Sequence, residues 1–456
     1  MSKIDYSKIS VIILAAGKGT RMKSNLPKVL HPVAGLPILY RTLTQIKSLG
    51  VKDVRVVVGH GQKLVEPLVN NFRAKVCIQK ELNGTAGAVM SADLNSAQDN
   101  IIILNGDHPF IRAKELDDLI KKHINQNSEF SVITSVVKYP GDRGRMLYFE
   151  NKPKAIIEAK DASIETLKIK EVNTGMYITK LNLLKKFLPK LTTHANSKEL
   201  YFTEVLSLAV ESDCKVSFLK ASNDLAFGVN SQEDLAIATG MAFKNKNKIL
   251  MSKGVVILNP KTTFIEELVE VGPGTVIYPG AHLKGKTAIG CFCVLEPNVF
   301  INSSCVENSV QIKMGSYIES SVLKEKAVVG PYAHLRPESH IGKSAKIGNF
   351  VETKKAIIGD GVKASHLSYL GDVTIGANTN IGCGVVTCNY TLNKTKEKTI
   401  IGSNVFVGSN TQLIAPVELK NKSCTAAGSV INKDVPEKAL AVARAKQINK
   451  ENFKKD

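Results

Sequence analysis

The chain has 456 residues, 43% of them apolar and 22% charged, with 33 Gly, 16 Pro, 8 Cys, no Trp and a formal net charge of +20. At roughly 100–200 residues per domain this length asks for two or three domains, and the near-average composition excludes wholesale disorder and a collagen-like fold. No apolar run approaches the roughly 18 residues that span a bilayer, and the run 11–16 is too short for a signal-peptide core, so a cytoplasmic protein without a membrane partner is expected. The cysteines, at 77, 214, 291, 293, 305, 383, 388 and 424, form no CxxC pair and stand at no zinc-site spacing to a histidine, and they are read as reduced thiols. The basic excess leaves nucleic acid, a membrane surface and anionic small molecules open as partners until the motifs are read.

In chain order, short apolar runs first alternate with stretches of helical spacing. Residues 10–15, 54–58, 101–105 and 130–134 are predicted strands, and 37–49 and 113–124 are predicted helices. That alternation predicts an α/β domain over 1–230 with a largely parallel sheet, whose ligands bind beyond the carboxyl ends of the strands. A lysine-rich segment, 231–253, carries Leu235, Ala238, Met241, Ala242 and Ile249 on one helical face and is predicted to be a connecting helix.

From 254 to 456 the period becomes six. Aliphatic residues recur at Val271, Ile277, Leu283, Ile289, Leu295 and Ile301, again at Val329, Leu335, Ile341 and Ile347, then at Ile358, Ala364 and Leu370, at Ile375 and Ile381, and at Ile401, Val407, Leu413 and Leu419. This spacing, with Gly, Asn and Pro between the hits, predicts a parallel β-helix in which aliphatic side chains stack from coil to coil. The break in phase at 387–399 predicts a loop leaving the coil, a place where chemistry is mounted. A β-helix alone would serve equally as a scaffold or an oligomerisation device. The basic run around Lys454 and Lys455 is read as solvated surface.

Directly after the first strand comes Leu14-Ala15-Ala16-Gly17-Lys18-Gly19-Thr20-Arg21-Met22, with Leu26-Pro27-Lys28 close behind. Its glycines allow close approach of backbone amides to a phosphate chain, and Arg21 and Lys28 add charge. The pattern is neither a Walker loop nor the GxGxxG fingerprint, and a plain strand-to-helix turn would use the same residues. Taken alone, Asp107 in Asn105-Gly106-Asp107 is a strand-end turn residue, and His366, beside Leu367 and near Leu370, is a structural histidine.

The LAAGKGTRM…LPK stretch and Asn105-Gly106-Asp107 together make this half similar to the sugar-phosphate nucleotidyltransferases. With the hexapeptide half, nearly the whole chain resembles the bifunctional bacterial N-acetylglucosamine-1-phosphate uridyltransferase and glucosamine-1-phosphate acetyltransferase family. The resemblance implies a Rossmann-like nucleotidyltransferase domain, a left-handed β-helix and a homotrimer with acetyl sites between chains. It further implies acetyl transfer from acetyl-CoA to glucosamine 1-phosphate, then uridylyl transfer from UTP to N-acetylglucosamine 1-phosphate. The product, UDP-N-acetylglucosamine, would feed peptidoglycan and lipopolysaccharide precursors.

Residue by residue, the resemblance assigns Leu14, Ala15, Ala16, Gly17, Lys28, Gln79, Gly84 and Thr85 to the nucleotide, and Gly144, Glu158, Asn173 and Asn230 to the sugar side. Arg21 and Lys28 would neutralise the triphosphate, and Asp107 with Asn230 would hold Mg²⁺, a hard ion suited to oxygen ligands. His108 departs from the apolar residue usual after that aspartate, and a packed or exposed histidine is the expected reading. In the second half His366 would be the general base, with Arg336, Lys354, Tyr369 and Asn380 on the sugar phosphate. Asn389, Tyr390, Ser409, the Ala427 backbone and Arg444 would contact acetyl-CoA. The loop lysine would be Lys396 counting back from Thr399, with Lys394 left open. Cys383 and Cys388, without a histidine nearby in sequence, are read as packing residues, so a direct amine attack without an acetyl-enzyme is expected.

Two other readings stand beside this one. A single-activity nucleotidyltransferase would use its β-helix only for structure or regulation. A basic nucleic-acid-binding protein is disfavoured because no RNP, helix-turn-helix or zinc-finger pattern occurs and Trp is absent.

Overall fold

The strand Ile9–Ala15 buries Val11, Ile12 and Ile13 completely, so it is apolar on both faces, as a strand between two helical layers must be. In this computed structural model, which describes residues 4–150, 152–193, 199–451 and 453, it lies inside a sheet ordered Val216–Lys220, Phe130–Val136, Glu171–Lys180, Asn100–Asn105, Ile9–Ala15, Asp53–Val58, Lys75–Ile78. Every pairing along that order is parallel except those of Glu171–Lys180, which runs antiparallel to both neighbours. On one face Val11 and Ile13 meet Leu39 and Leu43 of the helix Ile38–Leu49 and Leu116 and Ile120 of Ala113–Asn125. On the other, Ile12 meets Leu184 and Val205 from Leu181–Phe187 and Glu204–Glu211. A hairpin, Arg145–Phe149 with Lys152–Ile157, joins through Val172.

The chain forms two units, Met1–Gly240 and Met241–Asp456, and the helix Gln232–Ser252 runs across the boundary in sequence. The expected apolar face of that helix needs one correction. Ile249 is 49% exposed, while Leu250 is buried. The buried side shifts because the second half of the helix packs on the first coils of its own unit. There Asn247, fully buried, donates to the carbonyls of Pro260 (3.0 Å) and Thr263 (2.9 Å), and Phe243 meets Phe264 edge-on with ring centroids 5.6 Å apart.

The second unit is a left-handed parallel β-helix of two- to seven-residue strands. All the periodic aliphatic residues named above are buried, apart from the partly buried Val271 at the start. Between Ile301 and Val329 the inward positions pass to Val306, Ile312, Ile318 and Leu323, because Phe300 pairs with Tyr317 after 17 residues where His282 pairs with Phe300 after 18. Some inward positions are polar, Thr353, Thr387 and Thr425 among them. Thr353 donates to Ser339 Oγ at 2.8 Å, and Thr387 Oγ1 accepts from Gly371 N at 2.8 Å and donates to Gly371 O at 2.9 Å. Lys454 and Lys455 lie outside the described residues.

Candidate active sites

In the first unit, Gly19 turns the chain with φ +59, and Lys28 Cβ would come within 3.1 Å of a Cβ placed on it, so only glycine lets these segments pack. A Cβ on Gly17 would meet nothing within 4 Å, which leaves the backbone open to a ligand. The next strand end is drawn alongside by Gly106 N donating to Leu14 O at 2.9 Å, and residue 229 is tied to it by Val229 N donating to Asp107 O at 3.0 Å. These bonds bring together Lys28, Asp107 and Asn230, which are far apart in sequence. Lys28 Nζ donates to Asp107 Oδ2 at 2.6 Å and to Asn230 Oδ1 at 3.0 Å.

Burial works to raise the Asp107 carboxyl, but the Lys28 ammonium and the neighbouring His108 outweigh it and hold it below the usual carboxylate range. Asp107 Oδ1 is buried without a hydrogen bond; His108 Nδ1, 3.2 Å away, lacks the geometry for one. His108 is a packed histidine, 6% exposed, and burial pushes its pKa down, so it is neutral at pH 7. A Cβ at Gly228 would approach its Nε2 to 3.1 Å.

Two cavities meet at Asp107. One, of about 530 Å³, is lined by Leu14, Ala15, Ala16, Gly17, Lys28, Gln79, Gly84 and Thr85, the full expected nucleotide set. Gln79 is anchored there by donating to Asn83 Oδ1 and Gly84 O, each at 3.2 Å. The other, of about 520 Å³, is lined by Arg21, Glu158, Asn173 and Asn230 together with Arg143, Tyr177 and Tyr201. Arg21 therefore faces the second cavity and pairs with exposed Asp142 at 3.3 Å. Gly144 lies behind Glu158, with its carbonyl accepting from Asn173 N at 2.9 Å. Asn173 is turned toward the cavity by a bulge between Asn173 and Met176, with Gly175 at φ +73. Arg143, Tyr177 and Tyr201 escaped the sequence reading because they sit in no glycine motif.

In the second unit, His366 is exposed at the end of a strand, and its Nδ1 lies 2.8 Å from Oδ1 of Asn349, one coil below. With Nδ1–H donated to that amide oxygen, Nε2 carries the lone pair. Asn349 was missed because a coil contact links residues 17 apart. The pairing registers carry this line upward through Cys383, Ser409 and Ala427, which follow the pairs Ala364 with Ile381, Ile381 with Val407 and Val407 with Thr425. Cys383 is exposed, so its reading as a packing residue is corrected: it stands one coil from His366 in space, though not in sequence. Cys388 is half-buried, with Sγ 3.7 Å from Gln412 Oε1. Arg444 is exposed just past the last strand, Leu440–Ala441, where Val430 N still donates to Ala443 O at 3.0 Å.

Around the corner from His366, Arg336, Lys354 and Tyr369 occupy outward positions of stacked coils. Arg336 donates to Glu352 Oε1 at 2.8 Å, and a Cβ at Gly371 would strike the Tyr369 hydroxyl at 2.5 Å. Asn380 sits on a different face, paired with Lys363. The loop after Val386–Cys388 folds back through a bridge between Tyr390 and Lys396, and Asn389 is anchored by donating to Asp372. The Lys396 ammonium lies beside Lys354 and depresses the Lys354 pKa, with Arg336 adding to the effect. Of the two candidate loop lysines, Lys396 is the one brought to this cation cluster. Lys394 holds the loop turn, at φ +60.

A profile described as the MobA-like NTP transferase domain matches residues 11–170. Nearly full-length relatives carry the name bifunctional protein GlmU. The one from Bdellovibrio bacteriovorus is 48% identical over 445 residues, covering 98% of this chain and 97% of its own. That from Carboxydothermus hydrogenoformans is 42% identical over 97% and 99% of the two chains, and that from Clostridium novyi 42% identical over 96% and 97%.

Proposed function

Because this chain belongs to the family of the bifunctional GlmU proteins, we propose that it acetylates glucosamine 1-phosphate with acetyl-CoA and then joins the product to UTP, giving UDP-N-acetylglucosamine and pyrophosphate. What carries the reading is the presence, in one chain, of Lys28 gripped by Asp107 and Asn230 and of His366 seated on Asn349. We assign uridylyl transfer to residues 1–230, the connecting helix to 231–253 and acetyl transfer to 254–456.

In the acetyl site, His366 Nε2 takes a proton from the 2-amino group as nitrogen attacks the thioester carbonyl. The C–N bond forms, the C–S bond breaks, and the thiol of coenzyme A leaves with the proton. Arg336, Lys354 and Lys396 neutralise the sugar phosphate, and Tyr369 and Asn380 hold the sugar. Asn389, Tyr390, Ser409, Ala427 and Arg444 receive acetyl-CoA. At about 4.8 Å per coil, Ser409 and Ala427 stand roughly 10 and 14 Å from His366, which suits an extended thioester arm laid along the column.

In the nucleotidyl site, an oxygen of N-acetylglucosamine 1-phosphate displaces pyrophosphate from the α-phosphorus of UTP, so one P–O bond forms and another breaks. The protein supplies position and charge rather than a nucleophile. Gln79, Gly84 and Thr85 hold the base, and Glu158, Asn173 and Gly144 the sugar. Asp107 and Asn230 would hold Mg²⁺, and the fit is supported by the Lys28 ammonium already gripped between their oxygens and by the buried, unbonded Oδ1 of Asp107. When bound, Mg²⁺ would neutralise phosphate charge, while Lys28 takes the triphosphate and Arg21 adds charge from the adjoining cavity.

A homotrimer belongs to the same proposal. Tyr332, Phe350 and Leu367 hold the left-handed backbone region at φ 51, 55 and 39, unfavourable for bulky residues, and form an exposed stripe next to His366. A second copy covering that stripe would complete the acetyl site. No helix is long and apolar enough to cross a membrane among the described residues, and eight free thiols support placement in the cytoplasm.

His366→Ala in the full chain should lower glucosamine-1-phosphate-dependent thiol release from acetyl-CoA by about a hundredfold or more and spare pyrophosphate release, and Asp107→Ala should do the reverse. Thiol release untouched by His366→Ala would overturn the acetyl assignment. Loss of both activities with Asp107→Ala would overturn the division of labour.

A further inference from the structure

Arg143 lies in the loop between the strands Phe130–Val136 and Arg145–Phe149, outside every motif of the nucleotidyl half. Two of the three nitrogens of its guanidinium are fastened to backbone carbonyls. Nε donates to Ala226 O at 3.2 Å, and Nη1 donates to Tyr139 O at 3.3 Å and Pro140 O at 3.1 Å. A guanidinium has five N–H groups, and among the described residues the pair on Nη2 meets no protein acceptor. The loop that carries it is itself held by buried Arg145, which donates to Gly141 O at 3.0 Å and to the carbonyl of Arg143. Arg143 thus lines the cavity on a fixed backbone, with Nη2 unclaimed by the protein among the described residues.

That cavity is electrostatically unfavourable for an anion. Its wall carries the carboxylates of Asp107, Asp142, Glu158 and Asp234, and its cations are Arg21 and Arg143. Arg21 is paired with Asp142, and Lys28 is engaged by Asp107 and Asn230. A sugar 1-phosphate entering beside Glu158 and Asn173 needs a counter-charge on this side, and the two open N–H groups on Nη2 of Arg143 can donate to its phosphate oxygens. Resting on the uridylyl-transfer reading above, we propose that Arg143 binds the phosphoryl group of the incoming sugar 1-phosphate and thereby sets the affinity for that acceptor.

The test uses the full chain and initial rates of pyrophosphate release, varying N-acetylglucosamine 1-phosphate at saturating UTP and then UTP at saturating sugar phosphate. Arg143→Met should raise the KM for the sugar phosphate about tenfold or more, the loss expected for a charged hydrogen-bonded contact, with the KM for UTP changed less than about twofold. Thiol release from acetyl-CoA should be unchanged. Arg143→Lys keeps the charge but cannot fork to three carbonyls, so it should recover part of the affinity. The proposal is overturned if the two KM values rise together and lysine recovers neither, which would make Arg143 a strap between loops. It is equally overturned if the sugar-phosphate KM does not move. A wild-type chain that forms no pyrophosphate would overturn the uridylyl reading itself, and that result appears before any substitution is made.

Discussion

Replacing Asn349 by alanine removes the acceptor 2.8 Å from His366 Nδ1 and leaves the base otherwise intact. A net hydrogen bond is worth about 1 kcal/mol, which corresponds to roughly a fivefold effect on rate. His366 is exposed, so water replaces the lost acceptor, but Nε2 is then no longer confined to the tautomer and orientation that face the amine. Asn349→Ala should therefore lower kcat for thiol release about 3- to 10-fold, with KM for both substrates within about twofold. His366→Ala should cost the full contribution of a general base, about 10²–10⁴-fold. Asn349→Asp keeps the acceptor and should recover most of the loss. The assay follows the free thiol of coenzyme A with a thiol-reactive chromophore, with glucosamine 1-phosphate present and absent. An unchanged kcat, or a loss as large as that of His366→Ala, would refute the orienting role.

Lys396→Ala should raise the KM for glucosamine 1-phosphate about tenfold, while Lys394→Ala leaves it within about twofold, since Lys396 is the lysine that reaches Lys354; equal effects in steady-state kinetics would count against this. Cys383→Ala should keep thiol release within about threefold, whereas alkylating Cys383 in the wild type should block it, because the exposed thiol stands one coil from His366 on the face proposed to receive acetyl-CoA and is given no covalent part in the proposed mechanism; an inactive Cys383→Ala that binds both substrates would point to an acetyl-enzyme instead. Burial, with Lys180 adding to it, pushes the His123 pKa down from 6.5 to about 4. Between those values the unfolded chain takes up a proton that the native state refuses, so stability present above pH 6.5 is lost as the pH falls toward 4. The difference is worth about 3 kcal/mol. In urea titrations the wild type should lose about that much more than His123→Gln over this range, and parallel losses would refute it.

Much of the fold can be read along the chain because it depends on local pattern. The apolar run after Ile9 and the six-residue phase after Val271 each reflect burial repeated at fixed spacing, and both lead to buried residues in the structure. Phase fails where the coil changes length by one residue, as between Ile301 and Val329, and where a hydrogen-bonded threonine takes an inward place, as at Thr353 and Thr387. The connecting helix shows the same limit. Ile249 fits one continuous stripe, but the helix changes packing partners along its length and buries Leu250 instead. In the nucleotidyl half the glycine loop and Asn105-Gly106-Asp107 are legible as motifs. Arg143 and Tyr201 are not, since they reach the same cavity from loops fixed only by tertiary contacts. Asn349 and Cys383 become neighbours of His366 only once the coil lengths are known.

The column that runs from Asn349 through His366, Cys383 and Ser409 to Ala427 is spaced by backbone pairing, not by side chains. Loops can lengthen a coil, as the segment between Cys388 and Thr399 does, yet the next rung still lands one strand spacing higher, about 4.8 Å. The reach from His366 to the proposed carrier site is therefore quantised. Point substitutions can alter grip or polarity along it, but a longer or shorter acyl carrier could be accommodated only by adding or deleting a whole turn of the solenoid.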